Sequence, residues 1–254
     1  MRVSLISVSP TSNTTALIID PPQTKYLQGG FFHALGARCD SVAEGDGVVT
    51  YLAYPFDHEG TVSMVAMAIE PAPIHFRTIR EVFDALPPLP GFRAEIIGGN
   101  LLVSPSGTPE HFLIGGELHH ALHRLCKERG WHGTYGPYVC IDGPRDAVQP
   151  DYVMWEPGCR RWGDELLSSG VLMTAEVISP SSVRTDRADK LRLYALGRVA
   201  LYLLIDPITE SPSVTVHSDL EDGRYRAIST VPMGKPLYLP SPIDFELDTS
   251  IFMV

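Results

Sequence analysis

Between Leu172 and Asp206 three segments follow one another almost without interruption. Leu172–Ser179 is an apolar run carrying a single acid, Glu176. Ser182–Leu196 is a charged stretch with helical spacing. Ala200–Asp206 is nearly all apolar. A strand that is apolar at every position is buried on both faces, which happens inside a sheet covered on each side. A helix leading directly into such a strand crosses over and lays it back against the sheet. This run therefore commits the chain to a mixed α/β sheet flanked by helices.

The flanking sequence fits that frame. Thr78-Ile79-Arg80-Glu81 has the capping-box pattern and opens a short helix ended by Pro87-Pro88. Phe92–Ile97 and Asn100–Ser104 flank Gly98-Gly99, a hairpin signal. Thr108-Pro109 starts the longest helix, with Ile114, Leu118, Ala121, Leu122 and Leu125 as its buried stripe and Gly130 as its stop. Tyr135–Ile141 and Val148–Trp155 read as strands. Glu156–Gly170 reads as a long loop with a short helix at Gly163–Ser168. Ser213–His217 and Tyr225–Val231 form a hairpin, and the tail Leu237–Phe252 packs on the sheet. Residues 1–74 hold short apolar groups, consistent with small strands and a helix at Phe31–Ala37, but no motif. Ala72-Pro73 reads as a linker, so residues 1–74 form an N-terminal extension of unknown role before a domain at 75–254. Met67 offers an alternative start.

Lys and Arg total 20 against 30 Asp and Glu, a formal net charge of −10. That balance excludes a protein that coats nucleic acid, because phosphate neutralisation needs a basic surface. It leaves room for an enzyme meeting nucleic acid in one groove. Cys39, Cys126, Cys140 and Cys159 have no C-x-x-C spacing, against a zinc ribbon and in favour of reduced thiols. No stretch has the length of a membrane span and the N-terminus lacks a secretory pattern, so no membrane partner is expected and the expected compartment is the cytoplasm.

Asp151 and Glu176 each lie among apolar neighbours in adjacent strands, where a carboxylate needs a partner or a cation. Two such acids can hold one Mg²⁺. The other reading is that Asp151 caps a turn and Glu176 pairs with an arginine. Asp186, Lys190 and Tyr194 recur every four residues on one helix face, so Lys190 can return over the Glu176 strand; the plainer reading is an exposed ion pair on a helix. His119 and His123 are an i,i+4 pair but lack the H-E-x-x-H pattern of a zinc site. Arg160-Arg161-Trp162 offers charge and a stacking ring to a nucleic-acid strand, or is simply a solvated loop.

Taken in order, Glu95-Ile96-Ile97-Gly98-Gly99-Asn100-Leu101, Ser104-Pro105 to His111, Pro150-Asp151, Glu176–Ser181, Asp186–Tyr194 and Leu203–Pro207 resemble the Uma2 family (the DUF820 group). The resemblance runs from about Thr78 to Phe252. It implies the PD-(D/E)xK, restriction-endonuclease-like fold and hydrolysis of nucleic-acid phosphodiester bonds, DNA favoured, with Mg²⁺ or Mn²⁺. Asp151 and Glu176 would be metal ligands. The usual lysine position is Ile178, so the lysine resembles one displaced to the next helix, Lys190. Glu95 and His111 match recurrent family positions and, with Asp186 and Tyr194, are candidate supporting residues. The alternative is a non-catalytic binding or assembly module that keeps the fold and works as a homodimer.

Overall fold

The computed structural model describes residues 78–254 and four strands nearer the N-terminus: Arg2–Ser7 (β1), Thr15–Asp20 (β2), Thr50–Ala53 (β3) and Met64–Met67 (β4). β1 pairs with β2 and β3 with β4, both antiparallel. The expected Phe31–Ala37 helix and the Ala72-Pro73 linker lie outside the described residues.

Helix α1 (Ile79–Asp84) opens on the expected box. The Thr78 hydroxyl accepts from the Glu81 amide, and the Glu81 carboxylate accepts from the Thr78 amide. Strands β5 (Phe92–Ile97) and β6 (Asn100–Pro105) close around Gly98 and Gly99 at φ 61° and 75°. A two-residue turn with positive φ at both positions matches the right-handed twist of the strands, which is why glycines stand there. β2 adds to the free side of β6, giving the order β1-β2-β6-β5. The hairpin is pinned from a distance. The buried Asp146 carboxylate accepts from both turn amides, at 2.6 Å from Gly98 N and 3.2 Å from Gly99 N. Asp146→Ala leaves two amides unmet, so a loss of about 1–3 kcal/mol is expected in urea unfolding, with activity following stability only.

Helix α2 (Pro109–Arg129) is capped by Thr108, carries Pro109 at its first position and ends at Gly130 with φ 69°. Then follow β7 (His132–Thr134), β8 (Val139–Cys140), β9 (Ala147–Val148), β10 (Tyr152–Trp155), β11 (Arg161–Trp162), β12 (Glu165–Leu167) and β13 (Val171–Val177). A π turn at Thr185–Lys190 runs into α3 (Leu191–Leu196), and β14 (Leu201–Asp206), β15 (Ser213–Glu221), β16 (Arg224–Pro232), β17 (Pro236–Leu239) and β18 (Phe245–Asp248) complete the chain.

The main sheet has the order β16-β15-β14-β13-β10-β7; β13 and β14 are parallel and the other pairs antiparallel. This is the mixed sheet that the strand–helix–strand run requires. Alternation along β13 and β14 sorts the side chains. Met173, Ala175, Val177, Leu201, Leu203 and Ile205 face α2 and the C-terminal β17–β18 hairpin. Ile178, Tyr202 and Leu204 face the crossover, with Leu193 and Tyr194. The apolar tail does pack on the sheet, through Leu237, Leu239, Leu247 and Phe252.

Three local expectations change. Tyr135–Ile141 is not one strand: Gly136 turns at φ 103° ahead of Pro137, and the chain leaves the main sheet at β7 to enter a small sheet at β8. Val148–Trp155 is split at Pro150, which has no amide for a ladder. Gly163–Ser168 is not helical; Gly163 at φ 57° closes a tight hairpin between β11 and β12, which joins β8 and β9 in a four-stranded sheet.

Candidate active site

The break at Pro150 leaves Asp151 just ahead of β10, outside the ladder, so its side chain can do what a strand backbone does elsewhere. Asp151 Oδ2 accepts from the Val177 amide at 2.8 Å. His111 Nε2, from the first turn of α2, lies 3.0 Å from the same oxygen, and Arg93 Nη1 donates to Oδ1 at 3.0 Å. Burial pushes the Asp151 carboxyl up, but His111, Arg93 and Lys190 outweigh it and hold the group well below the usual carboxylate range.

Glu176 follows from the alternation of β13. With Ala175 and Val177 facing α2, it must face the crossover. There Tyr194 Oη donates to its Oε1 at 2.7 Å, and Lys190 Nζ lies 2.9 Å from Oε2. Lys190 also reaches Glu95 Oε1 and Asp186 Oδ1, each at 3.4 Å. The helix expected over Ser182–Leu196 is a π turn where these residues sit. Its i→i+5 bonds widen the turn, and both Asp186 and Lys190 are buried in it. Tyr202 Oη donates to the Asp186 carbonyl at 2.9 Å, tying the turn to β14.

Glu95 faces the same cluster from β5. Its Oε1 accepts from the Gln149 amide at 2.9 Å. All seven residues singled out in the sequence therefore meet in one cluster, with two refinements. Lys190 touches Glu176, Glu95 and Asp186 rather than Asp151, and Tyr194 serves Glu176 rather than Lys190. Sequence reasoning missed Arg93. It stands two residues from Glu95, on the same face of β5, and that spacing was the available signal. It missed Asp146 too, whose role is in the hairpin turn.

The electrostatics follow from enclosure. Burial drives the Glu176 carboxyl well above its ordinary value; Lys190 opposes this, while Asp151 and Asp186 add to it. Asp186 is also raised, burial outweighing Lys190. Lys190 is raised in turn, because Glu176, Glu95 and Asp186 outweigh its desolvation, so it stays an ammonium. Tyr194 is held as a phenol by burial and Glu176. Removing its hydroxyl in Tyr194→Phe deletes a donor to a buried carboxylate, with an expected loss of about 1.5–3 kcal/mol in thermal or urea unfolding.

The donor set suits a hard divalent cation. Four buried carboxylates (Glu95, Asp151, Glu176, Asp186) face two fixed cations (Arg93, Lys190), a formal excess of two negative charges. Glu176 Oε2 and Asp186 Oδ1 are enclosed with no aligned hydrogen-bond donor, although Lys190 pairs with both by charge. Among the described residues no three His, Cys, Asp or Glu side chains form a ready metal cage. Mg²⁺ needs none, since it commonly takes one or two carboxylates and keeps its waters. Exposure rises from 1% at Glu176 and Lys190 to 8% at Asp151, 13% at His111 and 21% at Arg93, so the cluster opens on the Asp151 side.

The other candidates stand apart. His119 and His123 have ring centroids 5.7 Å apart, and the His119 ring leans on Tyr135 and Tyr152. Trp162 is partly exposed with Arg145 stacked over its ring at 4.3 Å. No helix among the described residues is long and apolar enough to cross a membrane.

Comparison with known proteins agrees with the architecture. No curated protein sequence matches the chain. A solved structure from Anabaena variabilis ATCC 29413, described as a "putative nuclease belonging to DUF820", superposes with a TM-score of 0.54 at 16% identity, covering 68% of this chain and 95% of that one. At that identity the likeness is one of fold: a nuclease-like mixed α/β fold. Residues 80–250 match the model of the Uma2 family, whose description is "putative restriction endonuclease", and the chain belongs to that family.

Proposed function

We propose that the chain is a divalent-metal-dependent nuclease that hydrolyses phosphodiester bonds of nucleic acid, DNA favoured, in the cytoplasm. The observation that carries this reading is the cluster itself: Asp151 and Glu176 belong to one buried group of carboxylates and cations whose exposure rises toward Asp151, on a nuclease-like fold. Asp151 and Glu176 would hold Mg²⁺ or Mn²⁺, which when bound supplies Lewis acidity toward a phosphoryl oxygen and lowers the pKa of water. The residues of the chain prepare that site. Arg93, His111 and the Val177 amide fix the rotamer of Asp151 and keep it ionised. Tyr194 orients one oxygen of Glu176, and Lys190 balances the other without a directional bond. Glu95 and Asp186 hold Lys190 in place from its other sides.

The test is cleavage of labelled single- and double-stranded DNA and RNA with Mg²⁺ or Mn²⁺, by wild type, Asp151→Asn and Glu176→Gln. Metal-dependent products from wild type that vanish in both variants are the expected result. Products that survive in Asp151→Asn would overturn the assignment. One observation favours the second reading, a binding or homodimeric assembly module: Asp151 already has three donors and Lys190 is fully enclosed, a cluster self-sufficient without an ion. That module would bind DNA, or a second copy of itself, equally well in chelator and cleave nothing.

A further inference from the structure

Arg93 is the charged side chain that joins the cluster to its opening. Its Nη1 is spent, donating to Asp151 Oδ1 and to the Gln149 carbonyl, both at 3.0 Å. Nε is enclosed 3.7 Å from Glu95 Oε2 without an aligned hydrogen bond. Nη2 donates to no described residue, and the side chain is the most exposed of the cluster at 21%. The donor left for the opening is therefore Nη2. A guanidinium is rigid and planar, so clamping Nη1 aims Nη2 in a fixed direction at little further entropy cost. It stays charged, and Glu95 and Asp151 reinforce that charge against burial.

We infer that Arg93 is the phosphate-binding residue of the site: Nη2 takes a non-bridging oxygen of the substrate phosphodiester while Nη1 keeps hold of Asp151. The inference rests on the nuclease reading and adds to it the group that recognises the substrate. It also explains why an arginine stands here. A lysine ammonium can neutralise Asp151, but one nitrogen has no second amino group held at a fixed angle for a phosphate. A net charge of −10 makes such a local cation necessary for an anionic substrate to enter.

The experiment uses the full chain and a fluorescent single-stranded DNA 12-mer in Ca²⁺, which binds without supporting turnover in many Mg²⁺ sites. Affinity is read by anisotropy as a function of salt, and metal affinity separately by calorimetry, for wild type, Arg93→Lys and Arg93→Gln. Arg93→Lys is expected to bind the 12-mer about tenfold more weakly, the value of one charge-assisted hydrogen bond. Arg93 also holds Asp151, so the DNA affinities are compared at saturating Ca²⁺, with metal affinity and unfolding midpoint read for each variant, and a loss of metal is not counted as a loss of phosphate binding. Arg93→Gln should also lower the slope of log K against log salt by about 0.7–0.9, one phosphate contact. A purely structural role for Arg93 would leave that slope unchanged. If wild type binds the 12-mer and Arg93→Lys binds it equally well, the phosphate assignment is overturned and the nuclease reading stands. If wild type binds metal but no DNA or RNA 12-mer at any salt, the nuclease reading fails and this inference with it.

Discussion

Lys190→Met is expected to destabilise the protein by about 3–5 kcal/mol, the cost of breaking a buried ion pair by removing one partner. The ammonium stands among Glu95, Glu176 and Asp186, with 1% of its side chain exposed. Methionine fills a similar volume, so the loss is electrostatic rather than a cavity. The pH dependence identifies it as such. In wild type the folded state already raises the Glu176 and Asp186 carboxyls above their ordinary values, burial being the first cause and Lys190 the main opposing one. A carboxyl raised on folding binds more protons in the native state than in the unfolded chain. Stability therefore falls as pH climbs from the unfolded value toward the folded one. Removing Lys190 removes the opposition and steepens that fall. Urea unfolding in chelator should then show a small gap between wild type and variant near pH 5 and the full gap near pH 8. A gap independent of pH would mean that Lys190 acts through packing.

The second large effect concerns metal. Mn²⁺ titrated into the wild type by calorimetry should give a heat that is absent in Asp151→Ala and Glu176→Gln. The same binding should appear as stability: a ligand at one hundred times its Kd adds about 2.7 kcal/mol to a native state that alone binds it. Asp151→Ala carries its own cost in chelator, because Arg93, His111 and the Val177 amide lose their acceptor together. A loss of about 3–5 kcal/mol is expected there. Asp151→Asn keeps one acceptor oxygen, enough for Arg93 or for the Val177 amide and His111 but not for both, so it should lose less stability than alanine and still fail to bind metal. Wild type whose unfolding midpoint does not move at millimolar Mn²⁺, with or without oligonucleotide, would favour the assembly module.

Legibility varied along the chain for physical reasons. Elements set by neighbouring residues were readable. The capping box at Thr78, the Gly98-Gly99 turn, the start and stop of α2 and the buried strand β14 all lie where local chemistry puts them. The readings that changed are those where a proline or glycine interrupts a run that hydrophobicity alone joins. Gly136-Pro137 splits one strand between two sheets and Pro150 splits another. The π turn at Thr185–Lys190 has the composition of an α-helix, and the ion pairs of Lys190 with Glu95 and Glu176 and the hydrogen bond from Tyr202 to the Asp186 carbonyl come from outside the segment.

For the site, Lys190 stood out by its spacing to Asp186 and Tyr194 and by the family resemblance, whereas residue order alone picked out Asp151 and Glu176, because a charge inside an apolar run must be answered by something. It could not say what answers it. That Asp151 is held by Arg93, His111 and the Val177 amide depends on a hairpin 58 residues away, a helix start and a neighbouring strand meeting at one point. That Lys190 is enclosed rather than free at the surface depends on Glu95 closing over it from β5. Asp151 and Glu176 could be read as charges that need a partner, since the pattern of apolar neighbours around them is local, while Asp186 and Lys190 fitted an exposed ion pair as well as a buried one. Which charges are enclosed and which of them pair follows from the folded chain alone, because pairing is a matter of distance between segments far apart in the sequence.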